Sequence, residues 1–222
     1  MQIHCAAFLF DLDGVLVDSR TVVERVCRAW AARLGVEPDA LLRIAHGRRT
    51  RDTVRIVAPH VDAEREVEWI DNAELLDTEG LVEVAGVRRF LAGLPAGRWA
   101  VVTSCGRDLA RLRLSSVGLP IPEIVVTSED VSNGKPAPDG YRLGAQRLGF
   151  DPASCIVFED APPGIAAGRA AGARVVALLT THPDADLSGA AAVIPDFTRL
   201  RDRKSTRLNS SHVSLSRMPS SA

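Results

Sequence analysis

Ala6-Ala7-Phe8-Leu9-Phe10-Asp11-Leu12-Asp13-Gly14 is the stretch that decides the fold. Five apolar residues run without alternation into two aspartates and a glycine, the pattern of a strand buried on both faces that empties into a loop at its carboxyl end. The pattern returns at 99–102, 124–126, 155–158, 175–178 and 191–194, each time followed by polar or glycine-containing turns. Helix-like stretches at 108–117, 139–148 and 163–171 lie between most of these runs. Strands alternating with helices predict an α/β fold, a doubly wound Rossmann-like parallel sheet with right-handed crossovers.

One connection is far too long for a crossover, since about 80 residues separate the first strand from the run at Trp99. Val22, Val26, Ala29, Trp30 and Leu34 recur at helical spacing and Gly35 follows as a stop. Further helices are expected at 39–45, 50–58 and 63–76, which makes a four-helix cap domain of residues 18–85 with hinges near Val17 and Gly86. Residues 1–17 and 86–201 then form the Rossmann-like core. Asp18 and Ser19 are expected to cap the first cap helix, and Trp30 and Trp69 to pack in the core.

The 222 residues carry a formal charge of −1, with 46% hydrophobic and 25% charged side chains. That balance gives no electrostatic reason to expect a nucleic acid or an anionic membrane as partner. No apolar run approaches the length needed to span a bilayer. Cys5, Cys27, Cys105 and Cys155 form no CxxC pair, which points to free thiols and a cytoplasmic setting. A monomer is expected. Residues 202–222, DRKSTRLNSSHVSLSRMPSSA, hold 7 serines in 21 positions, lack periodicity and are expected to be disordered and to pack against nothing. They resemble the in-frame translation of a sequencing-library adapter, so the native chain is expected to break off near Arg201; the body without them is mildly acidic.

Open parallel sheets bind ligands beyond the carboxyl ends of their strands. Asp11 and Asp13 stand there after the first strand, at a spacing that puts both on one face. Thr103 and Ser104 follow the second strand, and Glu159 and Asp160 the fourth. Lys135 lies in Gly134-Lys135-Pro136-Ala137-Pro138-Asp139, and it is one of two lysines in a chain with 27 basic residues, where arginine supplies the rest. A compact ammonium and a guanidinium are not interchangeable at a tight anion site, so Lys135 asks for a specific role. Converging carboxylates repel one another unless a cation neutralises them, and hard oxygen donors favour magnesium. A cation screening an incoming phosphate would let an aspartate attack phosphorus while a lysine and a hydroxyl hold the other oxygens.

The ordered quartet FDLDGVLVDS, VVTS, GKPAPDGY and FEDAPPGI resembles the four motifs of the haloacid dehalogenase superfamily, over residues 3 to 201. The resemblance implies Asp11 as nucleophile and Asp13 as general acid and base. It implies a magnesium ion held by Asp11, the Asp13 carbonyl and Asp160 with support from Glu159, and a phosphoryl group bound by Thr103 or Ser104 and by Lys135. The phrases around His46-Gly47-Arg48-Arg49-Thr50, DTEGLVEVAGV and FEDAPPGIAAGRAAG resemble sugar and polyol phosphatases of that superfamily, of the 2-deoxyglucose-6-phosphatase, glycerol-phosphatase and hexitol-phosphatase kinds. His46 and Arg49 could then reach from the cap to a small phosphorylated metabolite.

Taken singly, these features have blander readings. An Asp-x-Asp pair often caps a helix, Thr103-Ser104 is a routine strand-end turn, Glu159-Asp160 could cap the helix at Pro163, and arginines on cap helices are mostly solvated. Cys105 reads as a small neutral filler. The function expected from the ensemble is magnesium-dependent hydrolysis of a sugar or polyol phosphate through an aspartyl phosphate. A phosphomutase of the beta-phosphoglucomutase kind shares the nucleophile and Asp13 and is the enzymatic alternative. A nucleotide-binding module is the non-enzymatic one, and it would call for a glycine-rich G-x-G-x-x-G loop that does not follow the first strand.

Overall fold

The computed structural model describes residues 2–181, 187–204 and 211–215. After β1 (Gln2–Cys5) and β2 (Ala7–Phe10), the chain passes β3 (Val17–Asp18) into four helices, α1 (Arg20–Leu34), α2 (Pro38–Ala45), α3 (Thr50–Val57) and α4 (Ala63–Leu76), and returns by β4 (Val82–Glu83). It continues through α5 (Val87–Gly93), β5 (Trp99–Val102), α6 (Arg107–Ser116), β6 (Val125–Val126), α7 (Asp139–Leu148), β7 (Cys155–Glu159), α8 (Pro162–Ala170), β8 (Arg174–Leu178) and β9 (Ala192–Ile194). Two last strands follow, β10 (Leu200–Lys204) and β11 (Ser211–Leu215).

The main sheet has the order β6-β5-β2-β7-β8-β9, with every neighbouring pair parallel. The strand order reverses between β2 and β7, and such a switch point opens a crevice at the carboxyl ends of the strands. Both strands are buried along their whole length because each face carries its own core. Side chains alternate across a strand, so Phe8 and Phe10 join Phe90, Phe158 and Phe197 on one face while Ala7 and Leu9 pack with Val157, Tyr141 and Ile165 on the other. Phe10 stacks on its register partner Phe158 at 5.1 Å between ring centroids. Each such phenyl ring contributes about 1.5–3 kcal/mol by burial, and the stacked pair about 0.5–1.5 kcal/mol beyond that.

The helices of the insert bury a core of their own around Trp30, Leu41, Val54 and Ile70. α1 ends at Gly35, whose φ of 67° places it in the left-handed region open to glycine. α4 starts at Asp62, whose side chain accepts hydrogen bonds from the Glu64 and Arg65 amides. Trp30 donates from its indole nitrogen to Glu66 at 2.8 Å, which satisfies the one polar atom of a side chain lying wholly inside. The two chain crossings into and out of the insert are hydrogen-bonded to each other, with Val17 opposite Glu83 and Asp18 opposite Val82. Among the described residues no helix is long and apolar enough to cross a membrane.

The last segment departs from expectation. β11 pairs antiparallel with both β1 and β10, giving a second sheet of order β1-β11-β10 in which Ile3 faces Val213. The disorder expected from Asp202 onward therefore fails for residues 202–204 and 211–215. Their pairing is made by backbone amides and carbonyls, which every non-proline residue carries, so a serine-rich segment without apolar periodicity can still form it. The remaining tail positions, 205–210 and 216–222, lie outside the described residues.

Candidate active site

Asp11 leaves β2 at the crevice and is only 3% exposed. The chain then folds back on itself, with the Leu16 and Val17 amides donating to the Leu12 carbonyl and the Gly14 amide to that of Val17. Gly14 has φ 76°, and a Cβ there would collide with the Asp160 carboxylate, so this turn is closed to larger residues.

Asp160, at the end of β7, brings the second carboxylate, and Glu159 the third. Ligand oxygens of Asp11, Glu159 and Asp160 all lie within 4.8 Å of one another, and all three residues are buried. Lys135 reaches in from the loop before α7, its Nζ 2.5 Å from Asp11 Oδ1 and 2.6 Å from Glu159 Oε1. Tyr141, one turn into α7, donates its hydroxyl to the same Glu159 oxygen at 2.6 Å. The other Glu159 oxygen accepts from the Asp160 and Ala161 amides. Glu159 thus spends its lone pairs on protein donors, which suits it to hold Lys135 rather than to face a ligand.

Burial drives the electrostatics of this cluster. It pushes the Asp11 carboxyl up to about 7, against the pull of Lys135 and with the help of Glu159 and Asp13. Burial, then Glu159 and Asp11, lift Asp160 well above the carboxylate range. Burial also opposes the Lys135 charge, but Asp11 and Glu159 more than offset it and raise its pKa. Tyr141 is held protonated by burial and by Glu159, as its donor role requires. Three carboxylates against one ammonium leave the cluster short of positive charge, and its donors are hard oxygens; both properties fit a divalent cation such as magnesium.

Asp13, two residues after Asp11, keeps other company. Its Oδ1 accepts from the Ser19 hydroxyl at 2.7 Å and its Oδ2 from Arg113 Nη1 at 2.7 Å. Its carboxylate is not part of the three-carboxylate group found among the described residues. Arg113, on α6 and 3% exposed, also donates Nη2 to Glu74 on α4 at 2.8 Å. Burial works against the Arg113 charge, yet Asp13 and Glu74 raise its pKa beyond the ordinary value. Ser19 occupies the N-cap position of α1 without making a side-chain cap bond, so the capping role expected of it is replaced by the contact to Asp13. Asp18 accepts instead from the Arg20 amide.

A cavity of about 90 Å³ separates this floor from the insert. Thr103 and Ser104 both line it; the Thr103 hydroxyl accepts from the Cys105 amide, and the Ser104 hydroxyl donates to the Gly47 carbonyl of the insert at 3.1 Å. Burial pushes the Cys105 thiol up to about 12, in keeping with an inert filler. His46 lines the cavity. Arg49 reaches the core but is taken up there: its guanidinium pairs with Asp52 at 2.8 Å and donates to the Ser132 carbonyl at 3.0 Å. It lies so close over Gly134, the neighbour of Lys135, that a Cβ at that position would clash with it. Thr53 on α3 also lines the cavity, and its buried Oγ1 has no hydrogen-bond partner among the described residues.

Tyr141, Arg113, Glu74, Ser19 and Thr53 were not singled out by sequence as parts of the site. Tyr141 stands within the quoted GKPAPDGY phrase, which was the one available signal. Arg113 is one of 25 arginines and carried none.

Similarity to known proteins bears on this arrangement. Hexitol phosphatase A of Escherichia coli is 43% identical over 183 residues, covering 79% of this chain and 83% of that protein. Glycerol-1-phosphate phosphohydrolase 1 of Saccharomyces cerevisiae is 36% identical over 82% of this chain and 77% of its own. A hydrolase from Pseudomonas syringae superposes with a TM-score of 0.74 at 26% identity, over 85% of this chain and 92% of the other. The model of the haloacid dehalogenase-like hydrolases matches residues 5–172, from the last residue of β1 to just past α8, and the chain belongs to that family.

Proposed function

We propose that the chain is a magnesium-dependent phosphatase that hydrolyses a small sugar or polyol phosphate through a phosphorylated Asp11. The observation that carries this reading is the seating of the Asp11 carboxylate between Lys135 and two further carboxylates, at the floor of a cavity roofed by the insert. Support for the substrate class comes from relatives named for hexitol and glycerol phosphates, and from the unpartnered Thr53 hydroxyl, a group able to donate to and accept from a substrate hydroxyl.

In this reading Asp11 attacks phosphorus and the ester P–O bond breaks. Asp13 protonates the departing alkoxide, then takes a proton from the water that attacks the phosphoaspartate and releases inorganic phosphate. Lys135 and the hydroxyl of Thr103 or Ser104 hold the equatorial oxygens, where charge is spread in the transition state. Asp11, Asp160 and the Asp13 carbonyl would hold Mg²⁺, which when bound supplies charge neutralisation for the phosphoryl group. Glu159 serves it indirectly, by fixing Lys135 and the end of β7. Residues 18–85 act as the cap over a core of 1–17 and 86–201, with His46 facing the substrate and Arg49 docking the cap on the loop before Lys135. Every group named comes from one chain, so a monomer suffices, and the free thiols suit a cytoplasmic setting.

Phosphate release from hexitol, hexose and glycerol phosphates with Mg²⁺ tests the proposal. Asp11→Asn is expected to lower turnover by at least about 10³-fold; a variant that keeps turning over would overturn it.

A further inference from the structure

Arg113 joins three stretches of chain that meet nowhere else in sequence: the loop after β2, α6 of the core and α4 of the insert. Its planar fork is split between two carboxylates, Asp13 at 2.7 Å and Glu74 at 2.8 Å, and it is the cation paired with each of them among the described residues. One acid, Glu74, would balance the charge of a buried arginine. This one has a second acid, Asp13, whose side chain is 28% exposed and borders the cavity that Arg113 and Glu74 also line. Asp13 is thereby gripped at both oxygens, by the Ser19 hydroxyl on one and by the guanidinium on the other. The guanidinium gives one charge-assisted hydrogen bond to each acid, and its rigid plane fixes the angle between them, so the direction in which Asp13 meets the cavity follows that of Arg113. The Arg113 fork in turn is held on its far side by a residue of the insert. Lifting α4 away would remove Glu74 and leave a buried guanidinium with Asp13 alone.

We propose that Arg113 is a positioning residue for Asp13, and that Glu74 makes this positioning depend on the insert being seated. The proposal rests on the reading of Asp13 as the proton donor to the leaving group. It states that the acid is aimed only when the roof of the cavity is in place.

Leaving-group dependence tests it. Expulsion of p-nitrophenolate needs no proton, whereas expulsion of an alkoxide from glycerol phosphate does. Arg113→Met is expected to lower kcat/KM for glycerol phosphate by about 10²-fold, while p-nitrophenyl phosphate loses less than about threefold. Glu74→Gln, a milder change of the same shape, is expected to lose activity on the alkyl ester selectively but less deeply. Arg113→Lys, which has one point charge for two acids, is expected to recover part of the loss. Equal losses on both esters would reduce Arg113 to architecture and overturn the proposal, as would no loss on either. Should Arg113→Met fail to fold, the ester ratio in Glu74→Gln decides alone. Asp13→Asn is the control: if it shows no selectivity between the esters, the role of Asp13 fails, and the proposal with it.

Discussion

Lys135 Nζ lies 2.5 Å from Asp11 Oδ1, although 124 residues separate the two along the chain. The contact is buried, and Glu159 closes it from the other side. Replacing Lys135 by methionine would leave two carboxylates unpaired in a dry site, a loss of about 3–5 kcal/mol for a broken buried pair. Lys135→Arg is expected to restore charge without activity, because a planar fork does not fit where a compact ammonium is held by two acids and Tyr141. Thermal melts and phosphate release check both, and an arginine variant within tenfold of wild type would refute the second.

Proton and metal compete at the same carboxylate. In the metal-free protein the Asp11 carboxyl titrates at about 7 rather than 3.8, so the folded state keeps a proton that the unfolded chain has released. Its contribution to stability therefore declines as pH rises from about 4 to 7. Divalent cations bind the carboxylate form, so the rise in Tm on adding Mg²⁺ is expected to be larger at pH 8 than at pH 6. Calorimetric scans at the two pH values measure it; a gain independent of pH would count against metal binding at Asp11.

Gly14→Ala adds one methyl group against Asp160 and demands a positive φ from a residue with a Cβ. A strained backbone of this kind costs about 1–3 kcal/mol. The larger effect is expected on Mg²⁺ affinity, since Asp160 must move aside. Titration calorimetry should find it weakened at least tenfold, whereas Gly35→Ala, which opens onto empty space, should leave it unchanged.

Thr53→Val removes a hydroxyl that has no partner to lose. Stability should hold or rise slightly, as an unsatisfied buried hydroxyl gives way to an apolar group of the same shape. KM for a polyol phosphate is expected to rise about tenfold, the worth of one hydrogen bond to substrate. p-Nitrophenyl phosphate, which lacks hydroxyls, should show no change. Equal KM shifts for both would remove Thr53 from substrate recognition.

The six strands of the main sheet were legible because its inner strands are sheathed on both sides and must be apolar throughout, as Phe8, Leu9 and Phe10 are. α4 was legible to its ends because Asp62 supplies the cap and Ile70 the buried face. α5 escaped because seven residues with two arginines give too few turns for a period to emerge. The floor of the site could be read from residues that follow strand ends, where topology alone brings Asp11, Lys135 and Asp160 together. Its walls could not. Arg113, Ser19 and Thr53 acquire their roles from depth and from neighbours on other elements, and nothing local marks them. Arg49, expected to reach from the cap to a substrate, has its guanidinium engaged by Asp52, one turn further along the same helix.

The pairing of β3 with β4 means that the polypeptide enters and leaves the insert through a doorway one strand spacing wide, about 4.8 Å. A module whose two ends sit side by side can be exchanged for another of different size without changing the path of the supporting chain on either side of it. A two-residue turn grafted between Asp18 and Val82 would complete a hairpin there. The roof over Asp11 is in that sense removable furniture, and the floor beneath it is the house.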